Sequence, residues 1–77
     1  MALRRYKKRH HDSGVTAYEI GDDYIKVEFA DGPLYLYTHE VPGTREVEQM
    51  KKLAMEGKGL STFISRNVKD KYASRLR

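Results

Sequence analysis

The sequence predicts an α+β domain: a three-stranded antiparallel meander followed by one long and one short helix, both packed on one face of the sheet. Three observations carry that expectation. Residues 24–29, Tyr-Ile-Lys-Val-Glu-Phe, alternate apolar and charged side chains with the period of two that a half-buried strand requires. Turn-forming clusters, Gly21-Asp22-Asp23 and Asp31-Gly32, bound that run on both sides. Past Pro42-Gly43 the apolar spacing changes to 3.6, the period of a helix.

The first strand is Val15-Thr16-Ala17-Tyr18-Glu19-Ile20, rich in β-branched and aromatic residues. In the second, Ile25, Val27 and Phe29 share one face while Lys26 and Glu28 share the other. Asp31-Gly32 suits a tight hairpin because both residues tolerate positive φ. Pro33 has no N–H to give a ladder, so it begins the next strand or lies on an edge. That third strand is Leu34-Tyr35-Leu36-Tyr37-Thr38, with the leucines on one face and the tyrosines on the other.

Residues 39–43 lead out of the sheet. Thr44 is the expected N-cap, and Glu46 and Glu48 fall in the first turn, where the helix dipole favours anions. Val47, Met50, Leu53 and Ala54 form the inner stripe, with Glu48, Lys51 and Lys52 outside. Gly57 and Gly59 stop the helix. Leu60, Ile64 and Val68 recur every four residues and predict a second, shorter helix capped by Ser61 or Thr62.

Seventy-seven residues make one domain. A chain this short buries only about 60% of its unfolded surface, so its stability is expected to be marginal. With no cysteine, disulfides and thiolate metal sites are excluded, which fits a reducing compartment. No apolar run approaches the roughly 18 residues of a membrane span, and no apolar segment follows the basic start in the manner of a secretory signal. The expected setting is cytoplasmic, without a membrane partner.

The net charge of +4 is unevenly placed. Residues 1–12 carry Arg4, Arg5, Lys7, Lys8 and Arg9 against Asp12 alone, and residues 66–77 carry Arg66, Lys69, Lys71, Arg75 and Arg77 against Asp70 alone. Each end is therefore +4, and the body between them is −4. The expected organisation is a flexible basic arm over 1–12, a folded domain over 13–72 and a basic tail over 73–77. The arm lacks apolar periodicity and cannot offset its ordering entropy by burial. Tyr6 sits among its cations.

Catalytic signatures are absent. The serines lack a nucleophile-elbow frame, and the glycines form neither a phosphate loop nor a dinucleotide fingerprint. His10-His11-Asp12 has metal-ligand chemistry but lies on the arm, where nothing preorganises it. His39 is the one acid/base candidate, without a visible partner. Turn chemistry accounts for Asp22, Asp23 and Asp31. No enzyme activity, cofactor or metal is expected. Tyr35 and Tyr37 have two readings: a platform for unpaired bases, or ordinary core against a helix.

An ordered set of motifs adds to this reading: Ile20-Gly21-Asp22, Ile25-x-Val27-x-Phe29, Asp31-Gly32, Tyr35-Leu36-Tyr37, Val41-Pro42, Leu53-Ala54, Gly57 and Val68-Lys69-x-Lys71-Tyr72. Over residues 13–72 the chain resembles the KTSC domain, a module found at the C-terminus of some lysyl-tRNA synthetases and as short bacterial proteins. The resemblance implies RNA binding through that synthetase context, and tyrosines turned inward around a residue that is often polar in the family. The chain departs from the family at Ile64-Ser65, where a Phe-Asn pair is usual.

Two functions follow as expectations. The first is a nucleic-acid-binding module, RNA ahead of DNA, in which Arg4, Arg5, Lys7, Lys8, Arg9, Arg66, Lys69, Lys71 and Arg75 meet phosphates and Tyr35 and Tyr37 meet bases. It assumes that the two basic ends converge. The alternative is a protein-interaction or assembly module using a free sheet face or edge, with Val15, Ala17, Leu34 and Leu36 as its apolar patch.

Overall fold

A computed structural model describes residues 3–6, 14–30, 32–68 and 71–77. The expected meander is present with its expected bounds: β2 (Val15–Ile20), β3 (Tyr24–Phe29) and β4 (Leu34–Thr38), each antiparallel to the next. Two short strands extend it. β1 (Arg4–Arg5) pairs with β2 at one edge, and β5 (Ser74–Arg75) pairs with β4 at the other. The sheet therefore has five antiparallel strands in sequence order.

Register assigns the faces, because residues directly opposite each other share a face. Tyr18 and Ile20 lie opposite Val27 and Ile25, which lie opposite Tyr35 and Tyr37. This is the side the helices cover. An irregularity between Val15 and Ala17 lets Val15 join it opposite Phe29. Thr16 is left on the outer side, where its hydroxyl donates to Glu28 Oε1 at 2.9 Å. On the outer face Lys26 reaches Glu19 at 3.6 Å and Tyr24 donates to Glu19 at 2.7 Å, beside Leu34 and Leu36.

Helix α1 (Thr44–Glu56) ends at Gly57, whose left-handed conformation (φ 77°) lets its N–H close onto the carbonyls of Leu53 and Ala54. Its N-cap is Gly43 rather than Thr44, which is the first helical residue. Val47, Met50 and Ala54 are buried against the sheet, as the stripe requires. Lys51 is buried as well, against its expected outer placement: its ammonium turns to Glu48 at 2.8 Å and to the Asp22 carbonyl at 3.0 Å. The second helix is a single α turn, α2 (Leu60–Phe63), capped by Gly59 instead of Ser61 or Thr62. It continues as a π-helical turn over Ile64–Val68. Leu60, Ile64 and Val68 complete the core.

The described residues at both ends pack onto the sheet: 3–6, which lie within the segment expected as a flexible arm, and 73–77, expected as a basic tail. Tyr6 is 2% exposed; its N–H donates to the Thr16 carbonyl at 2.9 Å and its ring meets Tyr18 edge-on at 6.5 Å. Its hydroxyl accepts the Leu60 N–H at 3.3 Å. At the other end, residues 73–77 are strapped along β4 by main-chain bonds from Ala73 to Leu36 and from Leu76 to Leu34, both 2.7 Å. An aromatic side chain at one end and a free strand edge at the other give each segment something to bury or pair.

Candidate nucleic-acid interface

The strap leading into β5 brings cations and aromatic rings together. Register sets Arg75 opposite Tyr35. The Arg75 guanidinium lies 5.8 Å from the centre of the Tyr35 ring, within cation–π range. On the same strap, Tyr72 packs against Tyr35 with centroids 4.5 Å apart and planes inclined by 39°. Phe29 adds an edge contact to Tyr35 at 5.6 Å. Tyr35 and Tyr72 are half-buried, while Lys71 and Arg75 are exposed. The Lys71 N–H donates to the Val68 carbonyl at 2.6 Å, tying the strap to the π turn that carries exposed Arg66. Arg75 thus stands beside a half-buried aromatic cluster, with exposed Lys71 next to Tyr72 in the chain and exposed Arg66 on the preceding π turn.

Other sequence-predicted residues fall elsewhere. Tyr37 is 1% exposed and packs edge-on against Tyr72 at 6.4 Å. Burial pushes its hydroxyl pKa far up, so this ring is core and offers no face to a base. Arg4 and Arg5 are exposed on β1, at the opposite edge from β5. Four inter-strand steps of about 4.8 Å put some 19 Å between those edges, so Arg4 and Arg5 do not converge with Arg75. Lys7, Lys8, Arg9 and Lys69 lie outside the described residues, as do His10, His11 and Asp12. Arg77 is engaged by Glu28 on the outer face. Among the described residues, no group of three or more His, Asp or Glu side chains gathers as a metal site.

His39 does have a partner. Its Nε2 lies 2.7 Å from Glu48 Oε2, the same oxygen that Lys51 approaches at 2.8 Å. Bonds from Lys51 and then His39 hold the Glu48 carboxyl below the usual carboxylate range. The cluster ties the β2–β3 turn, the β4–α1 connection and α1 together, a structural task that the sequence did not reveal.

The apolar patch expected for protein docking is not assembled. Val15 is fully buried on the helix side and Ala17 is 8% exposed, leaving Leu34 and Leu36 half-buried on the outer face. No helix among the described residues is long and apolar enough to cross a membrane. No protein-family model, curated protein or solved structure matches this chain.

Proposed function

We propose that this protein is a small binding module for single-stranded nucleic acid, RNA ahead of DNA, that docks through its C-terminal edge. The observation that carries the reading is the Arg75–Tyr35–Tyr72 cluster, with exposed Lys71 and Arg66 in the chain segment that leads to it. Aromatic faces beside cations suit a flexible strand: the bases stack and the phosphates meet the charges, largely without regard to sequence. The preference for RNA comes from the resemblance of the sequence to the KTSC domain. The reading needs no catalytic group and no cofactor.

Fluorescence anisotropy with a labelled single-stranded RNA at two salt concentrations tests it. Binding should weaken steeply with salt, and the paired change Lys71→Ala with Arg75→Ala should weaken it further while flattening the salt slope. A chain that ignores single-stranded RNA and DNA alike at low salt is not such a module. The alternative, protein assembly through Leu34 and Leu36 on the outer face, would instead show as a self-associated species in sedimentation that Leu36→Lys disperses.

A further inference from the structure

A groove opens between the start of α1 and the short α2–π segment, lined by Arg45, Glu46, Gln49, Phe63 and Asn67. Arg45 and Gln49 stand one turn apart on α1, and Phe63 and Asn67 stand four residues apart on the facing segment, so each wall presents a pair from one helical strip. Phe63 is half-buried: it packs against the core and still lines the groove. The Asn67 side-chain amide donates to the Phe63 carbonyl at 3.1 Å, which fixes the amide and leaves its oxygen as an acceptor. Arg45 is exposed and forms no ion pair with a described residue. Glu46 also lines the groove, and its carboxylate lies near the N-cap, with Oε1 2.9 Å from the point a Cβ on Gly43 would occupy. Asn67 belongs to the π turn, a rare conformation that collects at functional sites.

An aromatic ring, a guanidinium without an ion pair among the described residues and two amides that both donate and accept are the parts that hold one unpaired nucleotide. The ring offers a stacking face, the amides read a base edge, and the guanidinium takes a phosphate. An apolar peptide anchor would bury little here, because four of the five lining side chains are polar or charged. We propose that this groove is a nucleotide subsite that takes one unpaired base against Phe63 and its phosphate on Arg45. The inference rests on the nucleic-acid reading above and adds a specific contact point to it. The π turn that supplies Asn67 also carries exposed Arg66 and precedes Lys71 and Arg75 in the chain.

The test uses the full chain, an oligouridylate of about twelve nucleotides as a probe that stacks little on itself, and the variants Phe63→Leu and Gln49→Ala. Leucine keeps apolar bulk at position 63, and Gln49 is exposed, so thermal melts should show both variants folded. Phe63→Leu should weaken binding on the order of tenfold with an unchanged salt slope, since stacking is not ionic. Gln49→Ala should weaken it several-fold. If the oligonucleotide binds and folded Phe63→Leu and Gln49→Ala both match the parent, the groove is not a subsite, while the edge reading stands. If the oligonucleotide does not bind, uridine monophosphate followed by amide chemical shifts decides. Shifts at Gln49, Phe63 and Asn67 would keep the groove as a mononucleotide site and end the edge reading; no shifts would end both.

Discussion

Tyr6 caps a helix 54 residues away in sequence. The N–H of Leu60 is one of the donors a helix start leaves without an internal partner, and the Tyr6 hydroxyl accepts it inside the core. Two substitutions separate the hydroxyl from the ring. Tyr6→Phe strands a buried donor and should cost about 1–3 kcal/mol. Tyr6→Ala also empties the space beside Tyr18 and should cost about 3–5 kcal/mol, a large share of what a domain this small has. Urea melts read both: the midpoint should fall in that order, and a Tyr6→Ala protein as stable as the parent would mean that the ring contributes nothing to the core. Gly21 is constrained by a similar closeness. A Cβ there would run into the Tyr24 ring, whose hydroxyl is held by Glu19. Gly21→Ala should therefore destabilise by displacing that ring from the outer face.

At the scale of elements, the parts of the fold that announce themselves in sequence are those whose periodicity is bought by one buried face. β2, β3, β4 and α1 each set at least two side chains into the same core, so alternation or 3.6 spacing shows. β1 and β5 are two residues long and hold arginine and serine, so they carry no period; main-chain pairing at a free edge forms them, and nothing local encodes it. The candidate site was legible in its chemistry and not in its placement. Counting charges found Arg66, Lys71 and Arg75, but only β5 pairing brings Tyr72 onto Tyr35 and leaves Tyr37 inside. Two predictions belong here. Gly59 precedes α2 at φ 80°, and a Cβ there would meet only Leu53 at an ordinary 3.7 Å, so Gly59→Ala should cost about 1–2 kcal/mol from backbone strain alone. The Glu48 cluster gives a pH dependence. Its carboxyl is held below the usual range in the folded chain, so its stabilisation is complete above the unfolded pKa and is lost as pH falls through the folded one. Glu48→Gln should therefore lower the melting temperature at neutral pH and narrow the gap to the parent in acid. A gap that stays constant from neutral to strongly acid pH would mean that the contacts of Glu48 with Lys51 and His39 contribute no stability.

For the whole molecule, what matters is that Arg4 and Arg5 on β1 lie at the opposite sheet edge from Arg75 on β5, while three of the carboxylates between them have ion-pair partners. Glu19 is met by Lys26, Glu28 by Arg77, and Glu48 by Lys51 and His39. The cations without such partners among the described residues include Arg4 and Arg5 at one edge and Lys71 and Arg75 at the other. In the second pair Arg75 stands over the Tyr35 ring; Arg4 and Arg5 adjoin Tyr18, Ala54 and the exposed side chain of Met55. A strand anchored at the C-terminal edge should therefore register the two pairs differently. Each phosphate contact adds about 0.7 to the salt slope of a single strand, so Lys71→Ala with Arg75→Ala should lower the slope by roughly 1.4. Arg4→Ala with Arg5→Ala should lower affinity slightly through the general field and leave the slope where it was. Equal losses of slope from the two pairs would mean that the strand crosses the sheet from edge to edge, and a loss from the Arg4 and Arg5 pair alone would move the binding edge to β1.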